Sequence, residues 1–519
     1  MSLPERPLRV LFIGNIANNS YYFAKFLRSE GVEADVLCYD DYWVMSSPEW
    51  EEADFEGVPA DLFFPDWTSL DLKGYERPRW FAQGPFALSV DYLRAKQEGR
   101  RADAERGFRD LSRAREFAAR PATRQSMKAL GPLKRFLPAR VASVVERRIK
   151  ELLAPRRAHT ATPADPAPFL SRCHELADEF RQRFPERPDL LTLSDSLQYQ
   201  QNVLSIVELF RHYDVVQGSA VDPLYPMLAR FQPYTAFEHG TLRHAPEALW
   251  AYKGPFHDAP LSRLTALSYA LAGHVFISNA DCLESARRLR LSSFEPMPHP
   301  MDENDFLPPS EPREAIRNRR GGQLSFFCPI RHDWVDKGTD RYIRAIPELA
   351  RALETPFTVC FTPWGKEIER SKQLIRELGC EDRVRWVGPF GRVQLARRLR
   401  ESDVVFDQLA YPSFSGLTPR ALSCGTPVIA AYEPAGMAWM FSEAAPVLAA
   451  RSVDDLVRQT LRAIDPGFAR RYRTEARTWI ERHHSRERVV RALLGAYERL
   501  VASARFKRER GIERGLGSS

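Results

Sequence analysis

The stretch LRVLFIGNIANNSYYFAKFLRSEGVEADVLCYD, residues 8–40, constrains the fold most. An apolar run at 8–13 stops at Gly14, as expected of a strand buried on both faces. A polar loop, 15–20, leads into helical spacing over 21–28. Gly31 ends that helix, and a second apolar run follows at 34–39. This is one βαβ unit, the building block of a parallel sheet.

The alternation recurs along the chain. Strands are expected at 189–193, 215–216, 234–238 and 274–277, and a second series at 324–329, 357–361, 384–387, 404–406 and 428–430. Helical patterns at 339–353, 366–379, 392–401 and 417–424 separate the second series. The change near 296–300 divides 519 residues into two doubly wound α/β domains facing a cleft. The expected boundaries are 1–93 with 167–296 for the first domain and 297–480 for the second. A helix over 481–505 crosses back to the first domain, ahead of a basic tail at 506–519.

Residues 94–166 read as a helical insertion in the first domain. Between 94 and 157 there are 19 basic and 7 acidic residues, so this segment outweighs the net charge of +7 of the whole chain. Pro132 and Pro138 break 127–154 into short helices, and 155–168 is a Pro-rich linker. A basic, partly apolar element suits an anionic membrane surface, or else forms a solvated excursion packed on the domain. No nucleic-acid motif accompanies it, and no nucleic-acid partner is expected.

Other classes lose support. The seven cysteines stand singly, without C-x-x-C spacing, which argues against a zinc ribbon or a disulfide framework. The longest apolar stretch, 264–277, is short of a spanning helix, and MSLPERPLRV lacks the pattern of a signal peptide. A soluble cytoplasmic protein is expected, with the inner membrane face as a candidate peripheral site. There is no Walker lysine loop and no G-x-G-x-x-G after the first strand, which disfavours ATP hydrolysis and NAD chemistry. No D-x-D occurs, so a metal-held diphosphate has no obvious ligands, and neither metal nor cofactor is expected.

The second half carries the chemistry. In PIRHDWVDKGTDRYIRAI, 329–346, Arg331 and Lys337 stand at a strand end before a helix. Two fixed cations beside free backbone N–H groups are what a diphosphate needs; in isolation they are ordinary loop charges. Gly388 makes a tight turn against which a base can lie. Ser413, Phe414, Ser415, Gly416, Leu417 and Thr418 form a small polar loop entering a helix, where unpaired first-turn amides can hold phosphate. In the first half, His239 follows a strand within Glu238-His239-Gly240 and is placed to reach a cleft. Gly14, Asn15, Asn18 and Asn19 form a loop whose amides can bond sugar hydroxyls, or serve simply as a turn.

The order of Arg331…Lys337-Gly338, VRWVG at 384–388, SDVV at 402–405 and ALSCGTPV at 421–428 resembles the C-terminal domain of family 4 GT-B glycosyltransferases. VFISNADCLESA, 275–286, and PHPMDENDFLP, 298–308, are similar to that family's entry into its interdomain linker. The resemblance implies a retaining hexosyltransferase using a nucleotide-diphosphate sugar. It implies diphosphate contacts at Arg331 and Lys337, a donor-sugar contact at His239, and an acceptor that is a glycan, a lipid-linked glycan or a small molecule. The chain departs from the pattern in one respect. The two glutamates that the family carries eight positions apart fall on Pro412 and Arg420. A guanidinium donates but does not accept, so Arg420 cannot hold ribose hydroxyls as a carboxylate would; it can bind phosphate or a carboxylated sugar. Asp407 and Glu433 are the acids near enough in sequence to substitute. The reading from a different class is a non-catalytic protein of the same architecture that binds a glycan or nucleotide sugar or supports a membrane-associated glycan assembly.

Overall fold

The computed structural model describes residues 6–55, 59, 61–119, 166–243, 254–388, 390–412 and 414–509. The short helices expected within 127–154, the linker up to 165, Ser413 and most of the basic tail lie outside the described residues.

Two parallel sheets are present. The first is built from β1 (Arg9–Ile13), β2 (Glu33–Tyr39), β3 (Phe81–Gly84), β4 (Val215–Ser219), β5 (Tyr234–Glu238), β6 (His274–Ile277) and β7 (Phe294–Pro296), in the order 3-2-1-4-5-6-7. The second contains β8 (Leu324–Cys328), β9 (Phe357–Phe361), β10 (Val384–Trp386), β11 (Val404–Phe406), β12 (Val428–Ala430) and β13 (Leu448–Ala449), in the order 10-9-8-11-12-13. In each sheet the strand order reverses beside the first strand, between β1 and β4 and between β8 and β11. Ligands of doubly wound sheets bind beyond the strand ends at such a switch point.

Successive side chains of a strand point to opposite faces, so a strand buried on both faces reads as an unbroken apolar run. In β1, Val10 and Phe12 pack with the helix Asn19–Ser29, while Leu11 and Ile13 pack with the helices Phe86–Gln97 and Gln200–Phe210 on the other face. The expected strand at 189–193 is not one. Asp189 pairs with Arg187 at 2.8 Å, and Thr192 and Asp195 form a capping box that opens the helix Leu193–Leu197.

The expected start of the insertion, residue 94, falls inside the helix Phe86–Gln97, which forms a hairpin with the helix Arg101–Ala119; the latter places Leu111 in the first domain's core. Among the described residues no helix is long and apolar enough to cross a membrane. At the far end of the chain, the helix Pro466–His483 buries Tyr472, Ala476, Trp479 and Ile480 in the second domain. The chain breaks at His484 and Ser485, and the helix Arg486–Glu509 then lays Val489, Leu493, Ala496 and Tyr497 on the first domain. Val489 and Leu493 each contribute roughly 1.5–3 kcal/mol through removal from water. The Tyr497 hydroxyl donates to Gln217 Oε1 at 2.7 Å.

Candidate active site

The turn after β8 is set by Asp333, whose carbonyl accepts from the N–H groups of Lys337 and Gly338 at 2.9 and 3.0 Å. Its carboxylate accepts from the Asp336 N–H at 2.9 Å and pairs with Lys366 at 3.0 Å. Gly338 sits at φ +67°, and a Cβ there would approach Leu409 Cβ at 3.1 Å. Leu409 N–H in turn donates to the Lys337 carbonyl at 2.9 Å. Lys337 is thereby fixed between the ends of β8 and β11. Among the described residues neither Arg331 nor Lys337 forms an ion pair. Burial holds the Lys337 ammonium below the ordinary lysine range; Asp407 opposes that shift, and Arg331 and Arg243 add to it.

Asp407, at the end of β11, organises the loop that follows. Its carboxylate accepts from the Ser415 hydroxyl at 2.6 Å, from the Thr418 hydroxyl and from the Gln408 N–H at 2.7 Å. The hydroxyls of Ser415 and Thr418 are therefore spent inside the protein, and the Leu417 N–H donates to Ser415 Oγ at 3.0 Å. Phe414 stacks on Tyr432 and Phe441 in the core, with ring centroids 5.7 and 5.6 Å away. The sequence reading offered this loop's backbone amides to phosphate; its side chains shape the loop from within, and the Leu417 amide is already engaged by Ser415. Glu433 pairs with the exposed Arg451. Gly388 has φ +87° and lies against the Phe390 ring. Asp403 lies at the opposite end of the sheet, where Arg317 and Arg320 hold it at 2.9 and 2.8 Å.

At the first switch point, Gly14 adopts φ +80°, and a Cβ there would collide with the Asp222 carboxylate. Burial pushes the Asp222 carboxyl up to about 7, and it accepts from the Tyr39 hydroxyl. Asn15 donates to Asn18 Oδ1 at 2.8 Å and to the Ser46 carbonyl at 3.0 Å, and Asn18 donates to the Ser47 carbonyl at 3.0 Å. These two amides fasten the loop to its neighbour and are buried. Asn19 Nδ2 donates to the Ile16 carbonyl at 2.7 Å and lies 3.2 Å from His239 Nδ1. The carbonyl contact orients the amide, which makes Nδ1 the acceptor and leaves the ring proton on Nε2. Burial, then Arg243 and Lys337, pushes His239 down to about 4, so the ring is neutral at neutral pH. Glu238 is enclosed: it accepts from the Gly240 N–H and from Asn279 Nδ2, the latter at 3.2 Å. Its carboxyl is raised chiefly by burial.

Lys337 of the second domain thus acts electrostatically on His239, and Arg243 of the first acts on Lys337. Arg243 is fixed by Asp281 and Asn279, each at 3.0 Å, and its guanidinium lies 4.9 Å from the centre of the Tyr411 ring. The His299 ring stands edge-on to His239 at 5.2 Å. The sequence reading did not single out Arg243, Tyr411 or His299. Arg243 carried a usable signal, a cation three residues beyond the Gly240 turn, whose carbonyl accepts its N–H at 3.2 Å.

Arg420 reaches across the domains. It donates to the Gly416 carbonyl at 3.3 Å and meets Glu51 Oε2 at 3.5 Å, while Glu51 also accepts from the Tyr22 hydroxyl at 2.8 Å. Nearby, Arg392 pairs with Asp305 at 2.7 Å, and Trp364 stacks on Phe63 at 6.2 Å.

Two facing doubly wound sheets, with paired switch points across one cleft, define the GT-B architecture. Residues 323–465 match the family Glycosyl transferases group 1. A glycosyltransferase from Rickettsia africae ESF-5 superimposes with a TM-score of 0.50 at 10% identity, over 95% of this chain and 99% of that one. Sucrose-phosphate synthase from Thermosynechococcus elongatus gives 0.48 at 17% identity, over 59% and 80% of the two chains. Anabaena HepE, in complex with UDP and glucose, gives 0.46 at 15% identity, over 66% and 98%. No curated protein matches the sequence. The chain is similar to GT-B glycosyltransferases, as its motifs led one to expect.

Proposed function

We propose that the protein transfers a sugar from a nucleotide-diphosphate sugar to a glycan, lipid-linked or small-molecule acceptor, with retention at the sugar carbon. The observation that carries this reading is the pair Arg331 and Lys337. Two cations stand at a switch point with no carboxylate at ion-pair distance among the described residues. Preorganised charge in a water-poor site is the strongest way to stabilise a departing diphosphate. Lys337 and Arg331 take the leaving group's charge, and the Gly416 end of the loop borders the phosphates. Gly388 borders the base. Neutral His239 offers its Nε2–H to the donor sugar, held by Asn19 at Nδ1. The acceptor enters past Gly14 and the loop after it. In this reading 1–93 with 167–296 is the acceptor domain and 297–480 the donor domain.

A second reading is favoured by Arg420. Its side chain is committed to Glu51 at the position where the resemblance puts a ribose-binding glutamate. On this reading the protein is a non-catalytic GT-B binder of a glycan or nucleotide sugar. A panel of nucleotide sugars separates the two. Nucleotide release on adding a glycan acceptor, abolished by Arg331→Ala, supports transfer; failure to bind any nucleotide ends it.

A further inference from the structure

The helix Arg101–Ala119 walls a cavity whose lining includes none of the residues assigned above to the donor, and it touches the loop after β1 only through Ser47, the residue that anchors Asn18. It measures about 220 Å³ and lies beyond the ends of β2 and β3, between the helix Arg101–Ala119 and the segment 42–83. Tyr42, Phe64, Trp67, Glu49, Arg77 and Arg115 are among its walls. Arg77 is neutralised, since both its terminal N–H and Nε reach Glu49, at 2.6–3.0 Å.

Arg115 is not. It donates to Ser112 Oγ at 3.1 Å and to the Gln83 carbonyl at 3.3 Å, and among the described residues it meets no carboxylate at ion-pair distance. Burial and the neighbouring Arg77 push its guanidinium down to about 9. Glu49, already shared with Arg77, and Glu116, exposed at the rim, favour the Arg115 charge from beyond ion-pair distance, and burial outweighs them. Asp66 accepts from the Thr68 N–H at 3.1 Å and from its hydroxyl. A half-buried cation with no acid in contact is costly, and an anion arriving at its fork lowers the cost. The planar fork of an arginine fits a carboxylate or phosphate. Tyr42, Phe64 and Trp67 offer aromatic surface to the apolar face of a sugar ring. The volume falls below the roughly 300–1,000 Å³ of pockets for drug-sized ligands and suits one monosaccharide.

We propose that this cavity is a second carbohydrate subsite, which holds one acidic sugar by its carboxylate or phosphate against Arg115. Its role as the place of an acceptor's acidic residue rests on the glycosyltransferase reading; its binding of the sugar does not.

The test titrates glucuronate, glucose 6-phosphate and glucose into the full chain by calorimetry at low salt. Glucuronate or glucose 6-phosphate binds, and whichever binds more tightly names the anion; neutral glucose binds roughly tenfold or more weakly. Arg115→Gln, melting with the unaltered protein, weakens the acidic sugar roughly ten- to a hundredfold, the factor carried by a hydrogen bond to a charged group. Arg115→Lys keeps the charge, loses the fork and falls between. Arg331→Ala with Lys337→Ala leaves the affinity unchanged, which separates this site from the cleft. No acidic sugar bound, or equal binding by Arg115→Gln, overturns the subsite. Acidic-sugar binding lost in Arg115→Gln, in a protein that binds no nucleotide sugar, supports the subsite and overturns the transferase reading.

Discussion

Arg420 of the second domain meets Glu51 of the first at 3.5 Å, with only 12% and 4% of the two side chains exposed. The contact ties the two halves together beside the cleft, and among the described residues the Arg420 Nε has no hydrogen-bond partner. Breaking one side of a buried pair strands the other charge, whereas replacing both by apolar groups is close to neutral. Arg420→Met is therefore expected to destabilise by about 3 kcal/mol. Adding Glu51→Met recovers at least half of that loss. Chemical denaturation of both single variants and the double variant measures the coupling; independent, additive losses would contradict it.

Arg331→Ala and Lys337→Ala should each lower kcat roughly 10²–10³-fold, the range for removing one preorganised stabiliser of developing charge. Neither change should cost the roughly 3–5 kcal/mol of breaking a buried ion pair, because the side chains make none among the described residues. Single-turnover nucleotide release at saturating donor reads the first effect and thermal melting reads the second. Equal loss of folding would turn the pair into structural residues.

Asp407 is expected to behave in the opposite way. Asp407→Ala leaves the buried Thr418 hydroxyl and the Ser415 hydroxyl without an acceptor and removes the charge that supports the Lys337 proton. Orphaned buried donors cost about 1–3 kcal/mol each, so stability should fall by roughly 2–5 kcal/mol. Lys337 should also titrate lower than in the unaltered protein. An NMR titration of the lysine ammonium, set beside a denaturation curve, checks both halves.

Stability should fall with acid. Burial pushes His239 and His332 down to about 4, and His484 to about 3, from the ordinary 6.5. Between pH 6.5 and 4 the unfolded chain binds protons that the folded chain refuses, so stability drops as pH falls through that window. Asp222, raised to about 7 from 3.8, acts in the other sense: its folded form holds a proton that the unfolded chain has lost, a contribution that disappears as pH rises through 7. His299 is lowered as well, while Glu238, Asp41 and Asp305 are raised more mildly than Asp222 and act in its sense. The four histidines outweigh these carboxyls, and Tm is expected to be roughly 5 °C lower or more at about pH 4.5 than at about pH 6.5. Melting curves at half-unit steps decide it; a flat or rising Tm on acidification would show that the rings charge freely.

The strands were legible wherever burial on both faces left an uninterrupted apolar run. Tyr234–Glu238, His274–Ile277, Phe357–Phe361, Val404–Phe406 and Val428–Ala430 lie where the sequence puts them. Phe81–Gly84, Phe294–Pro296 and Leu448–Ala449 went unread because edge strands of two to four residues leave no period to detect, and the first two also carry Gln and Gly or Pro. At the site, Arg331 and Lys337 were visible because a strand, two cations and a helix are consecutive in the chain. The commitments of Arg420 to Glu51 and of Arg243 to Asp281 and Tyr411 were not, because those partners come from distant segments or from the other domain. The asparagines after β1 look alike in sequence, yet only Asn19 reaches His239.

The helix Arg486–Glu509 completes the face of the first sheet that carries Val10 and Phe12. A ribosome releases the other strands and helices of that half long before this helix emerges. The amino-terminal half must wait through synthesis of the second sheet and its helices with a greasy surface uncovered. A chain cut short of residue 486 would lose the lid on the first sheet and expose that surface to aggregation.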